Sequence, residues 1–268
     1  MSPLTPLVEA TDPSAFGGKA ASLGIAARAG LPVPAGFALT VDAVEGVIRA
    51  DPDVLSRLHA ACAGVHPRAV RSSAVGEDSG AASFAGAHCT ILGVRRPDAV
   101  IAAVRDVHAS GAAPGARAYR SRLGLSPCRM GVVIQDLVPA EVAGVLFTRN
   151  PVTGSAERVV EASWGLGEAV VAGLVVPDRY RLDTCGRVIE RSCGEKDLAL
   201  RARSGGTEQV AVVGPAVHTP CLDDAQLAAL HALAEACDTV YESSEHDIEF
   251  AVFDGTVFLL QRRPITGG

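Results

Sequence analysis

The sequence predicts an α+β protein built from two subdomains. Three observations carry that expectation. Helical periodicity is concentrated in the first half of the 268 residues, strand-like apolar runs dominate the second half, and the elements follow a mixed order instead of a strict strand–helix alternation. The expected division is 1–134 for the N-terminal subdomain and 135–268 for the C-terminal one, with a hinge near residues 128–138.

The elements follow in order. Residues 18–29 carry a helical apolar pattern closed by Gly30, and Leu31-Pro32-Val33-Pro34 cannot continue it. Residues 36–41 read as a strand. Residues 42–63 read as one or two helices broken near Pro52. A strand at 69–73 enters a glycine-rich loop, and Cys89 to Val94 form the strand that leaves it. Pro97-Asp98 opens a helix through about His108, and a second helical stretch runs from about Pro114 to Leu123. Strand-like runs then occupy 130–138, 143–148, 158–162, 179–183 and 187–191. One long helix, Asp224 to Tyr241 with Asp223 as its cap, precedes a final pair of strands.

Composition narrows the function. Hydrophobic residues make up 48% and charged residues 20% of the chain, which argues against extensive disorder, and no apolar run reaches the roughly 18 residues of a membrane span. The net charge of −6 argues against nonspecific nucleic-acid binding. The N-terminus lacks the pattern of a secretion signal, so a cytoplasmic location is expected. Seven scattered cysteines without a C-x-x-C pair indicate neither a disulfide framework nor a zinc site.

Chemistry is concentrated at a few places. Of 24 basic residues only Lys19 and Lys196 are lysines, each beside glycine. A compact ammonium next to small residues suits an anion, most often a phosphate, although composition bias would also leave two lysines. Lys19 lies near a helix N-terminus, where backbone donors already favour anions. Arg71-Ser72-Ser73 ends a strand before a loop of small and hydroxyl residues running to Gly86. It matches neither a P-loop nor a dinucleotide fingerprint, and a surface loop explains it as well as a phosphate site does. Gln135-Asp136-Leu137-Val138 could present an extended backbone to an adenine. Trp164-Gly165-Leu166-Gly167-Glu168 holds the sole tryptophan. It reads either as a plain strand-to-helix turn around a core Trp164 or as a turn that points Glu168 at a ribose hydroxyl or a metal.

The terminal hairpin depends on its turn. A two-residue Asp254-Gly255 turn would put Glu249 and Gln261 on opposite faces. A three-residue Phe253-Asp254-Gly255 loop pairs Val252 with Thr256 and gathers Asp247, Glu249, Gln261 and Arg263 on one face, with Ile248, Phe250, Phe258 and Leu260 on the other. The second register separates polar from apolar side chains and is the one expected. Glu249 and Gln261 then offer hard oxygens to Mg²⁺, with Arg263 near the same phosphates. An exposed salt-bridged edge is the plain alternative.

With these residues in view, the chain resembles the N-terminal nucleotide-binding domain of pyruvate phosphate dikinase, phosphoenolpyruvate synthase and rifampin phosphotransferase, a branch of the ATP-grasp enzymes. Five separated motifs occur in the family's order: Gly17-Gly18-Lys19 with Ala21-Ser22-Leu23-Gly24 and Val33-Pro34-Ala35-Gly36-Phe37; Arg71-Ser72-Ser73 through Ser83-Phe84-Ala85-Gly86; Gln135 to Val138; Trp164 to Glu168; and Asp247-Ile248-Glu249 with Gln261-Arg262-Arg263-Pro264. The resemblance implies an ATP-grasp fold of two α+β subdomains with the nucleotide in the cleft between them. It implies catalytic phosphate contacts from Lys19, Arg71 and Arg263, and Mg²⁺ on Glu249 and Gln261. The nucleotide would also be lined by Gly86, Gln135, Asp136, Leu137, Val138 and Glu168, with Lys196 near the phosphates. The stretch between Thr40 and Arg71 is short for the family, and no Thr-Cys-His or Thr-Ser-His segment is present, so no internal phosphohistidine relay is expected. The implied function is an ATP-dependent phosphotransferase. Its acceptor is either a histidine on a separate partner protein or a small molecule, the latter in a free-standing kinase or ATP-grasp ligase of specialised metabolism, and a nucleotide-binding module without turnover is the reading of another class.

Overall fold

The computed structural model describes residues 3–64, 66–76, 89–112, 129–203 and 205–265. The chain forms two compact units. The first comprises Met1–Arg28, Ala35–Leu137 and Ser204–Gly206, and the second comprises Ala29–Pro34, Val138–Arg203 and Thr207–Gly268.

The first unit holds a five-stranded sheet in the order β1-β2-β5-β3-β4. The strands are β1 (Leu4–Pro6), β2 (Gly36–Leu39), β3 (Arg68–Ala74), β4 (Thr90–Val94) and β5 (Met130–Asp136), and every pairing is antiparallel. Its helices are α1 (Pro13–Phe16), α2 (Gly18–Arg28), α3 (Val41–Ile48), α4 (Pro52–Ala61) and α5 (Pro97–Ser110). Local chemistry sets the helix starts. Asp12 accepts from the Ser14 amide, Thr40 from Ala43, and Asp51 from Asp53 and Val54, with Pro52 opening α4. The predicted break near Pro52 is therefore a full end and restart.

Alternation along the strands sorts this sheet. Val70, Met130, Val132 and Ile134 join Val44, Val47, Leu58, Val100, Val104 and Val107 in one apolar cluster with α3, α4 and α5. The alternate residues of β3 and β5 face the other way, where α1 and α2 lie. There the register sets Arg71 opposite Val133, Ser73 opposite Gly131 and Ala69 opposite Gln135. Packing on this side is close. A Cβ at Gly131 would lie 2.2 Å from the Phe16 carbonyl oxygen.

The second unit holds a six-stranded antiparallel sheet in the order β13-β12-β6-β7-β8-β9 and a separate β10-β11 pair. Its strands are β6 (Val142–Phe147), β7 (Arg158–Trp164), β8 (Asp178–Leu182), β9 (Val188–Ser192), β10 (Leu198–Arg203), β11 (Gly206–Ala211), β12 (His246–Phe253) and β13 (Thr256–Pro264). The long helix Asp224–Tyr241 begins in a reciprocal capping box between Asp223 and Gln226. It packs on one face of the sheet through Leu227, Leu230, Leu233, Ala234 and Cys237. That face carries Arg158, Val160, Tyr180, Leu182, His246, Ile248 and Phe250. The opposite face carries Glu161, Asp247 and Glu249.

Several expectations change. The strands β1, β10 and β11 and the short α1 were not foreseen, since three polar or proline-containing residues and a run such as Gly206-Thr207-Glu208-Gln209 carry little apolar alternation. The predicted helix at 114–123 lies outside the described residues. The hairpin turn is the two-residue one: Phe253 pairs with Thr256 and Val252 with Val257, not with Thr256. Phe258 thus faces Ala251, on the Glu249 side, and Leu259 takes the place expected of Phe258 opposite Phe250. The polar grouping survives for a different reason. A bulge shifts the register between Glu249 and Phe250, so that Glu249 pairs with Gln261 and Asp247 with Arg263.

Gly17 gives a direct test of the packing on the α2 face. Its φ is +84°, and a Cβ there would lie 2.0 Å from the Ser73 carbonyl oxygen. We expect Gly17→Ala to lower stability by more than about 2 kcal/mol, the range of strain combined with overpacking. Urea unfolding measures it, and an unchanged midpoint would contradict the close approach.

Candidate active site

The first unit places Lys19 and Arg71 on one side of its sheet. Gly17 turns the chain so that α2 starts at Gly18, and the Ser73 hydroxyl accepts the Ala20 amide at 2.9 Å. Ser73 therefore caps α2 from a neighbouring strand. Lys19 sits in the first turn of that helix and Arg71 two residues before Ser73, and both are buried. Gln135 faces the same side, buried between Gly36 on β2 and Ala69 on β3. The register thus brings Lys19, Arg71 and Gln135 to a common sheet face next to a helix N-terminus, an arrangement with positive charge and oriented donors.

Beyond Gln135 the backbone is partly committed. The Asp136 amide donates to the Ala35 carbonyl at 2.8 Å and the Leu137 amide to Pro67 at 2.8 Å. The Val138 carbonyl accepts the Ala140 amide at 2.8 Å. Asp136 is exposed and Val138 buried. Gly86 lies outside the described residues, as does the loop from Glu77.

The second unit gathers the terminal residues. Glu249 and Gln261 oppose each other across β12 and β13, and Asp247 opposes Arg263. Arg263 donates to a Glu249 carboxylate oxygen at 3.1 Å. Burial raises the Asp247 pKa above the usual carboxylate range; Arg263 opposes the rise and Glu249 adds to it. Among the described residues no group of three His, Cys, Asp or Glu side chains forms a metal cage. The donor set of one carboxylate and one amide oxygen on a shared face fits a hard cation that takes its other ligands from water or phosphate.

The tryptophan segment is a tight corner. Trp164 ends β7 half-buried, and its Nε1 donates to the Ala216 carbonyl at 2.9 Å. Gly165 has a φ of +81°, and a Cβ there would meet the Leu200 carbonyl oxygen at 2.3 Å. Glu168 opens the helical turn Glu168–Val171 and is half-buried.

Within the second unit, Lys196 and its partner Asp178 are apart from the Glu249 and Gln261 face. Lys196 is 0% exposed, and its ammonium donates to Asp178 Oδ1 at 2.5 Å and to the Val217 carbonyl at 3.1 Å. The same carboxylate accepts the amides of Gly194 (2.8 Å) and Cys221 (2.7 Å) and the Tyr180 hydroxyl (3.2 Å). Asp178 lies on the helix-covered side, opposite the Glu249 and Gln261 face. Burial alone would raise its pKa, yet Lys196, Gly194 and Cys221 hold it below the usual value. The glycine beside Lys196 has a structural cause as well: a Cβ on Gly194 would lie 2.0 Å from the Val176 carbonyl oxygen.

Sequence reading missed a second polar cluster, at the end of the long helix. His246 is fully buried, and its Nδ1 accepts from Arg262 Nε at 2.9 Å. Its Nε2 lies 3.2 Å from Asp238. The Arg262 guanidinium stacks 4.2 Å from the Tyr241 ring centroid, and Arg158 donates to the His231 carbonyl at 2.6 Å. Burial, reinforced by Arg262 and Arg158, depresses the His246 pKa to about 4. Dispersed histidines with no ligand spacing offered no signal for this cluster. Only the pairing of β12 with β13 reveals it.

Comparison with known proteins identifies the class. Residues 52–268 match the family described as pyruvate phosphate dikinase, AMP/ATP-binding domain. A probable phosphoenolpyruvate synthase of Methanothermobacter thermautotrophicus is 34% identical over 93% of this chain and 44% of its own length. The prodigiosin synthesizing transferase PigC of Serratia marcescens is 37% identical over 95% of this chain and 32% of its own. A rifampicin phosphotransferase of Streptomyces sviceus is 32% identical over 97% of this chain and 35% of its own. The chain thus spans less than half the length of these relatives. A solved structure, PH1788 from Pyrococcus horikoshii, overlaps at 13% identity and a TM-score of 0.44, covering 97% of this chain and 95% of its own; it is too distant to add to the assignment. The protein carries an AMP/ATP-binding domain of the dikinase type. It belongs to the pyruvate phosphate dikinase AMP/ATP-binding family, and its two α+β units agree with the ATP-grasp class expected of it.

Two tests follow from the buried groups. Lys196→Met leaves the Asp178 carboxylate buried without its counter-charge, and we expect a loss of about 3–5 kcal/mol by urea unfolding. Unchanged stability with a selective loss of nucleotide affinity would instead return Lys196 to the phosphate site. For His246 the folded pKa of about 4 lies below the unfolded value near 6.5. The unfolded state therefore binds the extra proton first, and stability present above pH 6.5 is lost as the pH falls toward 4, by about 3 kcal/mol from this group. Stability measured across that range should flatten in His246→Gln, and an equal slope in both proteins would contradict the assignment.

Proposed function

We propose that this chain is the nucleotide-binding part of an ATP- and Mg²⁺-dependent phosphotransferase whose acceptor is a separate molecule. The observation that carries the reading is the bulged hairpin, which sets Glu249 against Gln261 with Arg263 hydrogen-bonded to Glu249. Family membership supplies the nucleotide, and the shared sheet face of Lys19, Arg71 and Gln135 supports it independently.

In this reading Lys19, Arg71 and Arg263 hold and orient the phosphates and offset charge on the oxygens of the transferred group. Gln135 and the backbone from Asp136 to Val138 take the adenine, Glu168 the polar side of the nucleotide, and Gly86 a phosphate contact in the loop. Glu249 and Gln261 hold Mg²⁺, which when bound supplies further neutralisation of phosphate charge. Arg263, hydrogen-bonded to Glu249 in this structure, would be the side chain beside that carboxylate to hold a phosphate oxygen were a metal bound there. Lys196 is outside this set and is assigned to the buried Asp178 pair.

Two acceptors fit. A histidine on a partner protein suits a divided form of the phosphoenolpyruvate synthase type. A small molecule is favoured by relatives named for rifampicin and prodigiosin, at 32% and 37% identity.

Incubation with β- or γ-labelled ATP and Mg²⁺, with and without candidate acceptors, decides between them. We expect label on a partner histidine or in a small product, and absence of ATP consumption under every condition would refute turnover. Glu249→Ala should reduce Mg²⁺-dependent turnover at least 100-fold, about 2.7 kcal/mol, with the unfolding midpoint little changed. Retained turnover would remove Glu249 from the metal site.

A further inference from the structure

The register of the terminal hairpin changes part-way along, and the change has to be held. From the Asp254-Gly255 turn the strands pair regularly through Phe250 and Leu259. Continued without interruption, that pairing would set Glu249 against Leu260, Ile248 against Gln261 and Asp247 against Arg262. Gln261 would then point to the apolar helix side and Arg262 to the carboxylates. The bulge leaves Leu260 as the extra residue, returns Gln261 to Glu249 and turns Arg262 to the helix side opposite Ile248.

On that side Arg262 meets a prepared receptor. Its Nε donates to His246 Nδ1 at 2.9 Å, and its guanidinium lies 4.2 Å from the centre of the Tyr241 ring. The Tyr241 and His246 rings are 5.9 Å apart and edge-on, and Asp238 on the same helix lies 3.2 Å from His246. The receptor combines the first residue of β12 with the last turn of the long helix. It accepts Arg262 only in the bulged register, because the regular one carries residue 262 through the sheet to the other face.

We propose that Arg262 is a positioning residue: by docking on His246 and Tyr241 it locks the bulge at Leu260 and thereby keeps Gln261 opposite Glu249. The role of that pair as a Mg²⁺ site rests on the function proposed above, whereas the lock itself does not. Arg262 lies on the helix side of the sheet, opposite the Glu249 and Gln261 face. Its contribution is to select one of two registers that differ by a single residue.

The experiment compares Arg262→Ala, Arg262→Lys and Glu249→Ala with the parent chain, using Mg²⁺ with ATP as the probe. In Arg262→Ala we expect the cross-strand backbone nuclear Overhauser contact between residues 249 and 261 to be replaced by one between 249 and 260. We also expect the Mg²⁺ concentration for half-maximal ATP binding to rise at least tenfold. Arg262→Lys, which retains a cation and a donor, should recover part of both. Leu230→Ala, a truncation inside the long helix about two turns before Asp238, controls for general loosening and should move neither readout. Retention of the 249–261 contact in Arg262→Ala would overturn the lock, as would an equal register change in Leu230→Ala. If the register shifts while Glu249→Ala leaves Mg²⁺ dependence untouched, the lock stands and the metal assignment falls.

Discussion

Both units depend on one constraint: side chains of a β-strand alternate between the two faces of its sheet, so each position belongs to one side. In the first unit this places Val70, Val132 and Ile134 in the apolar core and Arg71, Ser73 and Gln135 on the α2 side. In the second it sends Ile248 and Phe250 under the long helix and Asp247 and Glu249 to the opposite face. A register error of one residue would exchange these sets. That is why Gly17 against Ser73, Gly131 against Phe16 and the bulge at Leu260 matter more than their size suggests: each holds a register or a close approach on which a charged side chain depends.

Buried charge is the cost of this arrangement, and it is met in two ways. The Asp178 carboxylate, taken from water, is surrounded by Lys196, two amides and the Tyr180 hydroxyl, so its oxygens are satisfied within the fold. This cluster ties β8 to the segments around Gly194, Val217 and Cys221, which lack long runs of sheet pairing of their own. At the other end of the long helix, His246 is kept neutral by burial and the nearby arginines and so accepts from Arg262. One buried site keeps its charges by pairing them, and the other avoids an extra charge by suppressing a proton.

Much of the fold was legible because its elements carry strong periodicity or punctuation. The long helix from Asp224 has a capping box and apolar spacing, and the α3 and α4 pair is marked by Thr40, Asp51 and Pro52. The short strands β1, β10 and β11 were not, because pairing and not composition makes them strands. The terminal hairpin shows the subtler limit. Segregation of polar from apolar side chains correctly grouped Glu249 with Gln261 and Arg263, but the turn was assigned three residues when the extra residue lies at Leu260. Patterning reports which faces must agree; it does not report where along a strand the adjustment is made. Lys196 shows how packing can produce the same signals. Rarity and a neighbouring glycine suggested an anion site, and both have a packing explanation once Asp178 and Val176 are seen beside them.

The arginine-rich composition leaves one lysine in each unit, and both are inside: Lys19 is 3% exposed and Lys196 0%. Acylating reagents that attack lysine amines therefore meet Lys196, held inside by Asp178, only when the second unit opens. Its modification records such an opening event. The chain in this way carries a residue-specific clock for local unfolding of that unit, with no engineered label required.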